Sequence, residues 1–170
     1  DTPSLPRISV ITPVHNTHAP FLRAMFESVK AQIYGDWELC LADDASTSAV
    51  TRKVLDEFVA SDARIQMVRL ETNGGISAAT NAAVAMATGD ILLFLDHDDL
   101  ITPDCLAHFA LLYAGDPTLD IAYSDDDKVS EDGDRYAPQF KPDWSPTLLL
   151  SFMYMSHALT VRRTLFTDLG

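Results

Sequence analysis

Short apolar runs alternate with stretches of helical spacing along most of this chain, and that alternation restricts its fold more than any other feature. Ile8 to Val14 reads as a strand. Leu22, Met25, Phe26, Val29 and Ile33 then recur at helical spacing, with Pro20 suited to a first turn. Trp37 to Ala42 is a second strand. After the capping region Ser46-Thr47-Ser48 comes a helix carrying Val50, Val54, Leu55, Phe58 and Val59. Ile65 to Leu70 is a third strand, and Asn73-Gly74-Gly75 turns the chain into an Ala-rich helix, Ile76 to Ala87. Ile91 to Leu95 is continuously apolar, as in a strand buried on both faces. Thr102-Pro103-Asp104 caps a helix with Leu106, Phe109, Ala110 and Tyr113, and Ile121 to Ser124 is a fifth strand. The alternation predicts an α/β fold: a Rossmann-like, mostly parallel sheet with helices on both faces.

The pattern changes after Lys128. Glu131-Asp132-Gly133-Asp134, inside Val129 to Tyr136, signals a hairpin or loop. Lys141 to Pro146 is irregular, and Leu148 to Val161 reads as a helix then a strand with open boundaries. The 170 residues suffice for one domain with a real core, so residues 1–170 are read as a single unit. The chain begins at Asp1 without Met and ends at Leu169-Gly170 in mid-pattern, and is read as a piece of a longer protein. Cys40 and Cys105 show no pairing or ligand spacing, which fits reduced residues of a cytoplasmic protein. The late apolar run Leu148 to Met155 is too short to span a bilayer.

Ligands of parallel α/β sheets bind beyond the carboxyl ends of the strands. There the sequence places His15 and Asn16, then Asp43 and Asp44, then Asp96 to Asp99, then Asp125 to Asp127. Solubility alone does not require acids at the ends of separate strands. The net charge is −13, and residues 90–136 hold 13 acids against 2 bases. That balance argues against a nucleic-acid partner, whose phosphates need Lys and Arg, and fits a bound divalent cation.

The tract Phe94-Leu95-Asp96-His97-Asp98-Asp99 ends an apolar run with three carboxylates in four residues. Like charges so close repel, and a cation offsets the cost. Asp96 and Asp98 are two apart in an extended segment and can face the same way, and their hard oxygens suit Mn²⁺ or Mg²⁺. An unmetallated acidic rim is the plainer alternative. The loop after the first strand has no glycine, and no G-x-x-x-x-G-K-[ST] occurs, so a bound diphosphate needs another source of positive charge. Asp44 is either a turn cap or an acceptor for the imide N–H of a uracil or thymine. Asp43 and Asp44 point opposite ways, so only one faces the crevice. His15 either stacks on a base or caps its turn. His18, His97, His108 and His157 show no ligand spacing and read as ordinary polar residues, with His97 facing away from the metal.

The segments "ISVITPVHN", "LCLADDAS", "NGGISAATNAAVAMATGD", "ILLFLDHDD", "YSDDDK" and "FKPDWSP" together resemble the inverting family 2 glycosyltransferases, nearest to bacterial polysaccharide and O-antigen members of rhamnosyltransferase type. The resemblance runs from Pro6 to Gly170. It implies a GT-A fold, a nucleotide-diphospho-sugar donor (UDP- or TDP-sugar) and a glycan or lipid-linked saccharide acceptor. It implies a membrane contact made only through the acceptor or parts outside the chain, at the inner face. Position by position, Pro13 and His15 match donor-binding residues of the first strand, Asp44 the residue that reads the base, Asp96 the first acid of the D-x-D, and Asp98 the direct metal ligand. Asp125 falls where the family approaches sugar and acceptor. Thr80 stands where many relatives carry Arg, which leaves more of the diphosphate to the metal.

An inverting transfer needs a base for the acceptor hydroxyl. In the family it follows a segment that this chain does not reach, so the general base is expected beyond Gly170, with Asp125 a weak substitute. The rival readings are a non-catalytic nucleotide-sugar-binding module, a haloacid-dehalogenase-like phosphatase with Asp96 as nucleophile, and a phospho-receiver domain built on Asp43-Asp44.

Overall fold

The computed structural model describes residues 4–130 and 132–169. Three parallel βα units come first: β1 (Ile8–Val14), α1 (Ala19–Lys30), β2 (Trp37–Asp43), α2 (Ala49–Ser61), β3 (Ile65–Arg69) and α3 (Gly75–Val84). β4 (Ile91–Phe94), α4 (Cys105–Gly115) and β5 (Ile121–Tyr123) follow. A hairpin of β6 (Asp126–Val129) and β7 (Arg135–Gln139) then precedes α5 (Pro146–Leu149), β8 (Leu159–Arg162) and α6 (Arg163–Leu169). Glu131, in the tract read as a hairpin signal, lies outside the described residues.

The main sheet has the order β3-β2-β1-β4-β8-β5. β1 pairs in parallel with β2 and β4, and β2 with β3, whereas β8 runs antiparallel to both β4 and β5. The expected mostly parallel sheet is present, with one addition. The last strand of the chain inserts between the fourth and fifth, and β5 keeps the direction of β4.

The two-residue period of the strands divides the core. Ile8, Val10, Val14, Leu39, Leu41, Ile91 and Leu93 pack with Leu22, Met25, Phe26, Val54, Leu55, Phe58 and Leu106 of α1, α2 and α4. The alternate residues Ile11, Cys40, Ala42 and Leu92 meet Ala79 and Ala83 of α3, with Phe166 of α6 against them. Small alanines let α3 lie close to the sheet. Three expected core residues are not in the core. Ile33 lies beyond the end of α1 and is 73% exposed, Val50 is 60% exposed while Thr51 takes the buried position, and Val59 is exposed on the flank of α2. Helical spacing alone cannot show where a helix ends or which flank of its stripe is covered.

At the amino-terminal edge of the sheet the buried Glu38 carboxylate collects donors from separate elements. It accepts from Ser9 Oγ at 2.6 Å, Thr88 N–H at 2.6 Å, Gly89 N–H at 3.1 Å and Arg7 Nη2 at 3.2 Å. A Cβ on Gly89 would stand 2.6 Å from Ser9 Oγ and 2.8 Å from Arg7 O, so only glycine fits against β1 there. The sheet is thus locked at the edge opposite the polar clusters.

Candidate functional site

Strand parity decides which residues of the carboxyl edge share a face. Pro13 continues the Ile11 side of β1, Asp44 the Cys40 and Ala42 side of β2, and Asp96 the Leu92 and Phe94 side of β4. All three fall on the α3 face. A cavity of about 450 Å³ opens there, lined by Pro13, His15, Asp44, Asp96 and Asp98, with Ile76 and Ala79 of α3 as an apolar wall. Five of the six residues marked in the sequence therefore line one cavity. Asp43 points to the opposite face, is fully buried, and pairs with Arg69 Nε at 2.7 Å.

Asp44, 3% exposed, accepts the backbone N–H groups of Gly74 at 2.7 Å and Gly75 at 2.9 Å. The carboxylate thus sits against the first turn of α3, where unpaired N–H groups and the helix dipole favour an anion. Gly75 holds a φ of +82°, the left-handed region that suits glycine. His15 Nδ1 lies 2.7 Å from the Asp44 carbonyl oxygen, so Nδ1 carries the proton and Nε2 is left as an acceptor, with Asn16 Nδ2 3.1 Å away. Asn16, at φ 50°, accepts the N–H groups of Thr47 and Ser48 at 2.8 Å each and joins the loops after β1 and β2. The cap and the base-reading role proposed for Asp44 in sequence are compatible: it caps α3 and still lines the cavity.

The acidic turn lies at the other end of the cavity. Asp96, Asp99 and His157 bring one ligand atom each within 4.8 Å of one another. His157 Nδ1 is 2.5 Å from Asp99 Oδ2 and 4.0 Å from Asp96 Oδ2. Asp99 Oδ2 is shielded from solvent and accepts no aligned hydrogen bond, although His157 Nδ1 lies 2.5 Å from it. Burial raises the Asp99 carboxyl above its ordinary range; the charge of His157 opposes this, and Asp96 and Asp98 add to it. Carboxylate and imidazole donors, one of them buried and orphaned, fit a divalent cation such as Mn²⁺ or Mg²⁺. No lysine or arginine lines the cavity among the described residues, and Thr80 on α3 adds no positive charge.

Two sequence readings need correction. His157, read as an ordinary polar residue, stands at the acidic turn. It lies about sixty residues downstream in an irregular tract, and only the insertion of β8 beside β4 brings it there, so no spacing could show it. His97, expected to face away, lines the cavity, with Nδ1 3.4 Å from Asp98 Oδ1. Asp96 and Asp98, the expected ligand pair, both line the cavity, and the side-chain atoms of Asp96, Asp99 and His157 cluster beside them. Asp125 lies beyond β5, outside the cavity lining, and its Oδ1 accepts the Lys141 N–H at 2.7 Å. Cys40 and Cys105 are free thiols that burial pushes up to about 12. Among the described residues no helix is long and apolar enough to cross a membrane.

Comparison with known proteins places this geometry. The family model described as Glycosyl transferase family 2 matches residues 9–169. The O-antigen biosynthesis protein RfbC of Myxococcus xanthus is 41% identical over 97% of this chain, which spans 13% of that protein. The structure of S. aureus TarS 1-349 in complex with UDP superposes with a TM-score of 0.75 at 25% identity, covering 95% of this chain and 48% of that one. The mannosyltransferase PcManGT of Pyrobaculum calidifontis, in complex with GDP-Man and Mn²⁺, gives a TM-score of 0.74 at 22% identity, over 100% of this chain and 48% of that one. The fold is that of the GT-A transferases, and a match over this much of its length shows that the chain belongs to glycosyl transferase family 2.

Proposed function

We propose that this chain is the donor-binding part of an inverting glycosyltransferase of polysaccharide biosynthesis. It would take a sugar from a UDP- or TDP-sugar for a glycan or lipid-linked acceptor, with a divalent metal. The observation that carries the reading is the single cavity at the carboxyl edge, with the Asp44 carboxylate at one end and the acidic turn with His157 at the other. The relatives support it: an O-antigen protein in sequence, and in structure one protein with UDP and another with GDP-Man and Mn²⁺.

In this reading Asp44, held by Gly74 and Gly75, accepts the imide N–H of the base with a free lone pair. Pro13 and Ala79 wall the base, and the His15 ring covers base or ribose with its tautomer set by the Asp44 carbonyl. Asp96 would serve the ribose and share in holding the cation. Asp98 and Asp96 would hold the cation, with Asp99 and His157 as further candidate ligands. Once bound, the cation supplies the positive charge that the cavity lining lacks and stabilises the departing nucleoside diphosphate. The base that deprotonates the acceptor is assigned outside residues 1–170. Asp125, outside the cavity lining and with one oxygen accepting the Lys141 N–H, is the weaker candidate for that role.

Calorimetric titration of UDP and TDP, with Mn²⁺ and then with excess chelator, tests the reading. Metal-enhanced binding of either supports it. Binding of neither, or binding indifferent to chelator, overturns the metal-assisted donor site. Release of phosphate from a generic phosphomonoester would favour the phosphatase reading, and donor binding without transfer in a longer chain would favour the non-catalytic module.

A further inference from the structure

Lys141 reaches the backbone that carries His157. Its side chain is only 5% exposed although it follows the fully solvated Phe140. Its ammonium donates to the backbone carbonyl oxygens of Ser156 and of His157, the latter at 2.6 Å, and has Asp126 Oδ1 at 3.3 Å as counter-charge. Two of the ammonium's three donors go to backbone carbonyls, and its contact with Asp126 is an ion pair without an aligned hydrogen bond. The lysine is itself fixed: its N–H donates to Asp125 Oδ1 at 2.7 Å, and Tyr123 O–H donates to the carbonyl of the next residue, Pro142, at 2.7 Å. Beyond the two carbonyls, Ala158 N–H donates to Ser124 Oγ at 3.1 Å. His157 holds a φ of +55°, a left-handed conformation that costs a residue with a side chain about 1–3 kcal/mol unless its surroundings impose it.

We infer that Lys141, seated by Asp125 and Asp126, is a positioning residue that holds the His157 backbone so that the imidazole faces the acidic turn. The inference rests on the metal site proposed above. It gives the Asp125-Asp126-Asp127 tract a purpose other than catalysis: two of its carboxylates seat a lysine that aims a ligand. A buried lysine bound to two successive carbonyls does not compete for the metal, because it has no lone pair while charged. Its charge by itself would weaken cation binding nearby. Geometry and charge therefore predict opposite signs, which makes the test discriminating.

The experiment is a Mn²⁺ titration followed by EPR, with the metal alone, on the wild-type chain, Lys141→Met, His157→Gln and the double variant. Far-UV circular dichroism and UDP binding in chelator serve as controls. Expected are a loss of Mn²⁺ affinity of tenfold or more in Lys141→Met, loss of the imidazole nitrogen modulation in its pulsed EPR spectrum, and UDP binding in chelator within twofold of wild type. In the His157→Gln background Lys141→Met should have no further effect, whereas a merely structural role would add its own loss. Lys141→Gln, which keeps an uncharged amide with two N–H donors, replaces Lys141→Met if that variant does not fold. Unchanged or tighter Mn²⁺ binding in Lys141→Met, or equal losses with and without His157, overturns the inference while leaving the metal site standing. Failure of the wild-type chain to bind Mn²⁺ overturns both.

Discussion

Removing the Glu38 carboxylate should damage the fold far from the cavity. Its side chain is fully buried, and it accepts from Ser9, Thr88, Gly89 and Arg7, with Gln66 Nε2 at 3.3 Å as well. Glu38→Ala leaves the Thr88 N–H and the Arg7 guanidinium without their acceptor and opens a hole beside Ser9. Breaking a buried charged network by removing one partner costs about 3–5 kcal/mol. Domains of this size are stable by only about 5–15 kcal/mol in total. At roughly 2–4 °C per kcal/mol, the melting midpoint should fall by roughly 6–20 °C. Glu38→Gln keeps the shape and one acceptor oxygen and should cost less, about 1.5–3 kcal/mol, the worth of a charge-assisted bond. The sign with pH follows from the carboxyl. Burial alone would raise it, but the bonds from Ser9, Thr88 and Gly89 outweigh burial and hold it below its ordinary 4.5. Its contribution is therefore complete above the unfolded value and is lost as pH falls through the lower folded value. Urea denaturation followed by circular dichroism, repeated from neutral to acidic pH, measures both effects. A Glu38→Ala loss below about 1 kcal/mol, or a gap between wild type and Glu38→Gln that widens on acidification, would refute the reasoning.

Asp44→Ala should weaken UDP or TDP binding with or without metal, and should also loosen the start of α3, because Gly74 and Gly75 lose their acceptor; calorimetry and amide hydrogen exchange at those two residues check this. Asp98→Ala should abolish Mn²⁺-dependent donor binding while chelator-resistant binding stays, and unchanged binding would remove Asp98 from the ligand set. Gln32→Ala should cost about 1–3 kcal/mol in urea denaturation, since Gln32 Oε1 accepts the Leu106 N–H at 3.0 Å and Nε2 donates to Thr102 O at 2.7 Å, capping α4 from the end of α1. Gly89→Ala should destabilise by about 1–3 kcal/mol through overpacking against Arg7 and Ser9, and a neutral melting curve would show that the turn yields.

The strands, the helices and the cavity face were legible because they rest on local periodicity. A strand repeats every two residues, so Pro13, Asp44 and Asp96 can be assigned to one side of a parallel sheet before any contact is known. Turn chemistry is equally local: Ser48 does cap α2, with Thr51 N–H donating to its Oγ at 3.2 Å. The polar clusters could be placed on one edge because a βαβ unit has one handedness and one direction. Ile33 shows the limit of this reasoning. It keeps the helical spacing but follows the end of α1, where its N–H donates to the Pro103 carbonyl at 2.9 Å.

Tertiary structure decided what depends on residues far apart in the chain. β8 enters antiparallel between β4 and β5, and no local pattern specifies which gap a late strand fills. That insertion brings His157 to Asp99, buries Lys141 beneath the same backbone and takes Asp125 away from the cavity. The sequence by itself determined the fold class, the edge that carries the candidate site and the acidic turn, because each follows from spacing within one element or its neighbours. The partners of that turn came only with the folded chain, because a contact across about sixty residues depends on long-range strand pairing, which leaves no period in the sequence.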